Sequence, residues 1–217
     1  MRWLGFVLMG CFVCAACAST GSGDDDAQTP DASDDVTTID ETSTTDDVVT
    51  PQDVSQPPID SGDGFGAART ACLNEINKLR ATENHAPYAL WTGSAIDTCV
   101  DQQATYDETN KSPHGAWLGN KYPVCNGNAQ DECLGYGVTA SGVIKCLDAM
   151  WAEKNQPNCA GCPACQSKFT QNCPNCDFYG QNGPECGHYV NMSADYLSKV
   201  DCGFSALGGW AVQNFSQ

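Results

Sequence analysis

Two histidines and a glutamate are the residues of this sequence best suited to metal chemistry. His114 and His188 lie in separate segments, with Glu132 between them. Two imidazoles and a carboxylate could form an open three-ligand zinc site, in which a water molecule fills the remaining position and is activated. In the alternative interpretation, His188 and Tyr189 are hydrogen-bonded structural residues and Glu132 lies on a surface loop. The third histidine, His85, lies in a Glu-Asn-His-Ala-Pro loop and is predicted to be solvated.

Other common catalytic signatures are missing from the sequence. There is no Gly-x-Ser-x-Gly elbow for a serine nucleophile and no glycine-rich phosphate loop for a nucleotide. The chain has 27 acidic and 10 basic residues. No basic groove is therefore expected, and nucleic acid is not an expected partner.

Cysteine is the most informative residue type, with 15 in the chain. Cys11, Cys14 and Cys17 lie in the N-terminal leader, and twelve cysteines follow it. An even number of cysteines in an exported chain predicts up to six disulfides, which also argues against a cysteine nucleophile. The twelve are Cys72, Cys99, Cys125, Cys133, Cys146, Cys159, Cys162, Cys165, Cys173, Cys176, Cys186 and Cys202.

A cysteine-rich insertion at about residues 155–186 holds half of these twelve cysteines and few aliphatic residues. Such a segment cannot form a core of its own. Its two Cys-x2-Cys pairs have the spacing of a zinc knuckle, so a zinc site is the alternative to a loop held by disulfides. Export to an oxidising compartment favours the disulfides.

The first 17 residues have the pattern of a secretory signal peptide. Arg2 precedes the apolar run 3–16, which is too short to span a bilayer, where about 20 residues are needed. Small residues before Cys17 resemble the bacterial lipoprotein cleavage box, so Cys17 is the predicted lipid anchor to the membrane. Cys11 ends a second candidate box, and ordinary cleavage without a lipid is the alternative. The prediction is export to the cell envelope, as an outer-surface lipoprotein or a secreted protein.

Residues 18–66 are predicted to be a disordered acidic linker. They contain 13 Asp or Glu and no Lys or Arg, and they lack helical or strand periodicity. A segment of this composition cannot bury enough apolar surface to offset its ordering entropy. The whole chain has a formal net charge of -17, of which the later residues carry only about -5. Calcium binding by the Asp clusters is the alternative, although the spaced ligands of a calcium loop are missing.

The folded domain, residues 67–217, is predicted to be α+β with an antiparallel sheet, because helical segments come first and strands last. Apolar residues at helical spacing predict three helices, the second with Ser94 as its N-cap. The predicted helices are 69–81, 92–106 and 141–153. The predicted strands are 188–192, 200–206 and 210–215.

Several blocks of the domain are similar to motifs of a known family. The blocks are 72–80 with Leu90-Trp91, Pro113-His114-Gly115, 131–137, 186–192, 200–204 and 210–215. They resemble the CAP superfamily, which includes cysteine-rich secretory proteins, insect antigen 5 and plant pathogenesis-related class 1 proteins. The Gly-His-Tyr of block 186–192 and the two blocks after it are the most specific. Asp131 and Cys133 flank Glu132 where the family has Gly and Asn.

The resemblance implies a three-layer α-β-α sandwich with a central antiparallel sheet. It also implies a cavity with two His and two Glu, which binds a divalent metal such as zinc in some members. By motif, His114 and His188 match the histidines and Glu132 the first Glu. The second Glu comes from Trp-x-x-Glu, and here Glu153 stands one position early, with Lys154 in its place. One residue is a rotation of about 100° on a helix, which could take Glu153 out of the cavity.

These observations lead to a prediction of a surface-tethered module that binds an extracellular ligand or protein without catalysis. A metal-dependent hydrolase of peptides or esters that uses His114, His188 and Glu132 is the alternative. A third hypothesis is a structural envelope protein whose cysteine-rich insertion makes the contacts.

Overall fold

The computed structural model describes residues 62–168 and 173–217, all within one compact unit, Pro51–Gln217. This part of the chain contains five α-helices and four β-strands. The helices are α1 (Gly66–Ala81), α2 (Ser94–Asn110), α3 (Gly115–Leu118), α4 (Ala140–Ala152) and α5 (Gly187–Ser193). The strands are β1 (Ala89–Leu90), β2 (Ala129–Leu134), β3 (Lys199–Phe204) and β4 (Trp210–Ser216).

The four strands form one mixed sheet in the order β1-β3-β4-β2. β4 pairs antiparallel with both β2 and β3, as predicted. β1 runs parallel to β3, so the prediction of a purely antiparallel sheet is wrong at this edge. A two-residue strand has no hairpin to set its direction, and here the loop that follows α1 brings it to the sheet edge. The α+β class is confirmed.

Side chains alternate along β4 between two apolar clusters. Ala211 and Phe215 belong to a cluster with residues of α1, α4 and α5. Val212, between them, belongs to a second cluster with Val100 and Ala104 of α2. Successive residues of a strand point to opposite faces, so α2 packs on one face of the sheet, and α1, α4 and α5 pack on the opposite face.

The three predicted helices are confirmed as α1, α2 and α4, with ends that move by a few residues. The prediction of Ser94 as an N-cap is wrong, because Gly93 takes that position and Ser94 is the first helical residue. Gly93 has φ 150°, a backbone conformation that residues with a side chain rarely adopt.

The segment predicted as a strand over 188–192 is instead helix α5. Tyr189, Val190 and Met192 are all buried, so they do not alternate between two faces. The Ser193 hydroxyl donates a hydrogen bond of 2.6 Å to the carbonyl of Tyr189, one turn earlier. A short apolar run does not distinguish a strand from a buried helix, which explains the wrong prediction.

All twelve cysteines after the leader are paired in six disulfides, which confirms that prediction. The pairs are Cys72–Cys202, Cys99–Cys125, Cys133–Cys146, Cys159–Cys186, Cys162–Cys176 and Cys165–Cys173. Three of them lie within the cysteine-rich insertion, whose described residues form short 3-10 turns. The zinc-knuckle alternative is therefore not supported, because its thiols are used in disulfides.

The N-terminal predictions lie mostly outside the described residues. These are the signal peptide 1–17, the lipid anchor at Cys17 or Cys11, and the linker up to residue 61. The last residues of the predicted linker contact the domain, since Arg69 donates to Asp63 over 2.7 Å. Within the described ranges, no helix combines the length and apolar character that crossing a bilayer requires.

We expect the disulfide that joins α1 to β3 to contribute most to stability. Cys72 and Cys202 are 130 residues apart, whereas Cys165 and Cys173 are 8 apart. The entropy of closing these loops gives about 5 and about 2.6 kcal/mol, respectively. Cys72→Ala/Cys202→Ala should therefore lower the free energy of unfolding more than Cys165→Ala/Cys173→Ala, as measured by guanidinium denaturation of the oxidised protein. Equal losses would contradict this ranking.

Candidate functional site

His188 and Glu153 form a charged pair at the start of α5. The Nδ1 of His188 donates to Glu153 Oε1 over 2.6 Å, and the backbone N–H of Tyr189 donates to Glu153 Oε2 over 3.1 Å. Burial acts to lower the pKa of His188, but the hydrogen bond to Glu153 and nearby carboxylates raise it to about 9. His188 is therefore protonated at neutral pH.

Glu153 reaches His188 although it stands one position early in the Trp-x-x-Glu match. The reason is that α4 ends at Ala152 and Glu153 begins a 3-10 turn, so the rotation expected for a continuous helix does not apply. Lys154 points elsewhere and donates to Glu83 Oε1 over 2.7 Å. The end of the helix thus places Glu153 beside His188.

The side chain of Asp131, on β2, points to the face of the sheet on which the His188–Glu153 pair lies. Asn191 of α5 donates from Nδ2 to Asp131 Oδ1 over 2.7 Å. Asp131 is fully buried, and burial raises its pKa to about 8, against the opposing charge of His188. Asp131 Oδ2 and Asn191 Oδ1 have no hydrogen-bond donor among the described residues. The raised pKa of Asp131 favours a proton on this carboxyl, which turns one of its oxygens from an acceptor into a donor.

Glu132 points to the opposite face of the sheet, towards Asp107 of α2. Both side chains are buried, and among the described residues no donor within hydrogen-bond geometry reaches Asp107 Oδ2 or either carboxylate oxygen of Glu132 while both groups are ionised. The backbone N–H of His114 is close enough to Glu132 only to act to lower its pKa. Burial is the main cause of the raised pKa of Glu132, and the Asp107 carboxyl raises it further. We conclude that the pair shares a proton at neutral pH. Glu132 is thus a buried residue of a strand, and the alternative that it lies on a surface loop is wrong.

His114 approaches the site from the loop that precedes α3. Its backbone is left-handed, with φ 57°, which ends the turn before the short helix. Its Nδ1 lies 3.0 Å from Gln130 Oε1. Burial lowers the pKa of His114, and the charge of His188 lowers it further. His114 is therefore neutral at neutral pH, and only one of its nitrogens carries a proton.

A series of hydrogen-bonded, buried amide side chains determines which ring nitrogen of His114 carries the proton. Asn126 Nδ2 donates to the Trp117 carbonyl over 3.1 Å, so Asn126 Oδ1 must accept from Gln103 Nε2. Gln103 Oε1 then accepts from Gln130 Nε2 over 3.1 Å. Gln130 Oε1 is left as an acceptor, and His114 must donate to it from Nδ1. The free lone pair of neutral His114 is therefore on Nε2.

A second series of hydrogen bonds gives the same orientation for the Gln130 amide. Asn214 Nδ2 donates to the Cys125 carbonyl over 2.8 Å, so Asn214 Oδ1 accepts from Gln130 Nε2 over 2.9 Å. Backbone carbonyls only accept, so both ends of the network are fixed. The assignment of His114 follows from two independent paths.

The three residues of the predicted zinc site are not gathered at one point. Among the described residues, one trio of potential metal-binding atoms lies within 4.8 Å of one another, and it consists of Cys159, Cys162 and Cys186. These sulfurs are all in disulfides. Glu132 points to α2 rather than to His188, so the side chains present do not fit a three-ligand ion. Zinc binding by His114, Glu132 and His188 stays a prediction.

A cavity of about 260 Å³ opens beside His114 and the face of α5 that carries Asn191. The cysteine-rich insertion supplies part of its wall through Phe178, Tyr179 and Glu185. A larger groove of about 710 Å³ lies along α2, and none of the predicted site residues lines it. The smaller cavity is therefore the candidate binding site.

His85 is not the solvated residue that the loop sequence predicts. Its Nδ1 lies 2.9 Å from Asp195 Oδ1, and its side chain is only 10% exposed. It lies near Glu83, which accepts from both Lys154 and Tyr189. This histidine belongs to a surface ion cluster at the end of α1.

Asp131, Asn191, Gln130 and Glu185 are site residues that the sequence analysis did not identify. Asp131 directly precedes Glu132 in the same motif block, and Gln130 lies just before that block. Strand alternation would have placed Asp131 on the face opposite to Gln130 and Glu132 had β2 been predicted. Asn191 lies one turn after His188, which is the only signal the sequence offers for it.

Comparison with protein-family models, with curated proteins and with solved structures gives no significant match.

We expect Glu132→Gln to stabilise the protein increasingly as the pH rises. The folded pKa of Glu132 is raised above its usual 4.5, so the unfolded carboxyl ionises first and native stability falls with increasing pH. The glutamine keeps a donor for Asp107 and does not ionise. The gain should be near zero at about pH 4 and on the order of 2 kcal/mol at about pH 8, in denaturant unfolding of the oxidised protein.

Glu83→Gln is the matched control, because it should respond in the opposite direction. Burial acts to raise the pKa of Glu83, but hydrogen bonds from Lys154 and Tyr189 lower it overall. Its carboxylate therefore stabilises the native state above the usual pKa and loses that effect in acid. A Glu132→Gln effect that does not change between acid and alkaline pH would contradict the shared proton.

Proposed function

We propose that this chain is an exported, surface-tethered member of the CAP superfamily, with a domain at 67–217 folded as a three-layer α-β-α sandwich. The motif blocks support the membership, and the burial of both faces of β4 by helices supports the layers. Six disulfides support an oxidising compartment. Lipidation of Cys17 is the proposed tether to the membrane.

The proposed activity is binding of a small ligand or of a group on a partner, without catalysis. The observation that carries it is the 260 Å³ cavity beside neutral His114. Its polar groups are fixed before a ligand arrives, since Gln130 orients His114 and disulfides hold the insertion. A site that is already rigid loses little entropy when it binds, and this favours affinity.

A metal-dependent hydrolase ranks second as a function. It requires an ion held by His114, His188 and a carboxylate, with a position left for water. The Nδ1 of His188 is engaged with Glu153, and Glu132 faces Asp107. Assembly of the ion site would require β2 or α5 to move, whereas a binding cleft needs no such change.

Zinc titration separates these two functions. We expect the oxidised protein to bind Zn²⁺ no more tightly than its His114→Ala/His188→Ala variant, because the side chains are not gathered around one point. Isothermal titration calorimetry measures the affinities, and His85→Ala serves as the control for loss of a histidine outside the cleft. Near-stoichiometric zinc that the double variant loses, with ester or peptide hydrolysis that His188→Ala abolishes, would overturn the proposal in favour of the hydrolase.

A fragment screen tests binding directly. The indole N–H of Trp117, which lines the cavity, is the reporter in ¹H–¹⁵N spectra, and that of Trp210 on β4 is the control. We expect hits to shift the Trp117 signal and leave that of Trp210 unchanged. A library without any compound that shifts Trp117 selectively would contradict a ligand-binding cleft.

A further inference from the structure

The residues that line the cavity beside His114 favour a positively charged ligand. It contains one carboxylate, that of Glu185, and neither Lys nor Arg. The ten lining residues are His114, Trp117, Leu118, Asn128, Ala129, Gln130, Phe178, Tyr179, Glu185 and Asn191. The negative charge of Glu185 therefore has no cation opposite it within the lining.

Glu185 is exposed and makes no direct hydrogen bond or ion pair among residues 62–168 and 173–217. Its carboxylate nevertheless lies near enough to His114 and His188 to act to raise the pKa of both imidazoles. Its neighbour Cys186 is bonded to Cys159, which fixes the backbone beside it. An exposed carboxylate at a fixed place on the wall can interact with a bound cation at little entropic cost.

The two histidines at this end of the domain add no positive charge to the lining itself. Burial lowers the pKa of His114, so it is neutral and offers an acceptor at Nε2. His188 is protonated, but it does not line the cavity, and the Glu153 carboxylate 2.6 Å from its Nδ1 offsets its charge. Glu185 is therefore the charged residue of the lining, and the protonated His188 outside the lining offsets part of its charge.

Three aromatic side chains complete the wall. Phe178 and Tyr179 meet edge to face, with ring centroids 5.0 Å apart. The Trp117 indole is held from the other side, since its Nε1 donates to the Gly127 carbonyl over 3.3 Å. Leu118 and Tyr179 remain 72% and 56% exposed at the rim. Aromatic faces attract organic cations, most strongly when a carboxylate is nearby and water is partly excluded.

We propose that this cavity binds an organic ammonium group on a small apolar body, with Glu185 as counter-ion and Trp117, Phe178 and Tyr179 as cation–π contacts. The inference rests on the proposed binding function and specifies its ligand class. The volume of about 260 Å³ suits a small group rather than a drug-sized molecule. A primary ammonium can also donate to His114 Nε2, which a quaternary ammonium cannot do.

Matched pairs of cations and neutral isosteres test the charge requirement. The probes are choline against 3,3-dimethylbutan-1-ol, and n-butylammonium against butan-1-ol, titrated into the full, oxidised protein with the Trp117 indole signal as readout. We expect at least one cation to bind about tenfold more tightly than its isostere. A preference for choline identifies a quaternary ligand, and a preference for butylammonium identifies a primary one.

Two variants test the named side chains. Glu185→Gln and Tyr179→Ala should each weaken cation binding by about tenfold while leaving the isostere unaffected. Their controls are Asp148→Asn and Tyr136→Ala, an exposed acid and an exposed tyrosine that do not line the cavity. Both test residues are exposed, so an unchanged unfolding midpoint will confirm that the variants fold.

Two results would overturn the inference. One is equal affinity for cations and isosteres, and the other is unchanged cation binding in Glu185→Gln. If neither cation binds while other compounds shift the Trp117 signal selectively, the ammonium assignment fails and the binding cleft itself is retained.

Discussion

The arrangement of the site depends on the hydrogen bonds of one buried amide, Gln103 of α2. It joins the helix to both β2 and β4, through Gln130 and Asn214. Because the network ends at backbone carbonyls, no amide in it can rotate without leaving a buried donor unpaired, which costs more than an ordinary hydrogen bond contributes. The packing of α2 on the sheet thus determines the orientation of the His114 ring.

The interior of this domain is more polar than a typical core of its size. Arg69 and Arg80 are buried, together with the carboxylates of Asp107, Asp131 and Asp201. The Arg69 guanidinium contacts Asp63 and Asp101, which joins the approach to α1 with α2. Buried charges of this kind contribute little net stability even when paired. The six disulfides therefore compensate for an interior that apolar burial alone would hold weakly.

Much of the scaffold follows from periodicity in the sequence, whereas the site does not. α1, α2 and α4 have apolar stripes, and β3 and β4 are apolar runs next to turns, so they are predictable. β2 was missed because its centre, Gln130-Asp131-Glu132, carries buried polar groups on both faces and has no alternation of apolar residues. Local pattern cannot show such a strand, since partners distant in sequence satisfy its polar side chains.

Two site residues show how a shift of one position along the chain changes which side chains meet in the site. The motif match selected Glu132, but Asp131 faces His188 and Asn191, because adjacent residues of a strand point to opposite faces. A continuous helix could have taken Glu153 out of the cavity, but α4 ends at Ala152 and Glu153 contacts His188. Residue types alone do not predict either side-chain position, because one depends on the pairing of β2 and the other on the residue at which α4 ends.

The bond between Cys72 and Cys202 closes a covalent ring that encloses nearly the whole domain. A protease that cuts once inside this ring does not release a fragment, because the two pieces remain joined through the sulfurs. The exposed parts of the cysteine-rich insertion, which carry the cavity wall, lie within the ring. A nicked molecule would therefore keep its strands and helices tethered at high effective concentration and could close again around the break. The domain can thus remain in one piece after a single cut between Cys72 and Cys202.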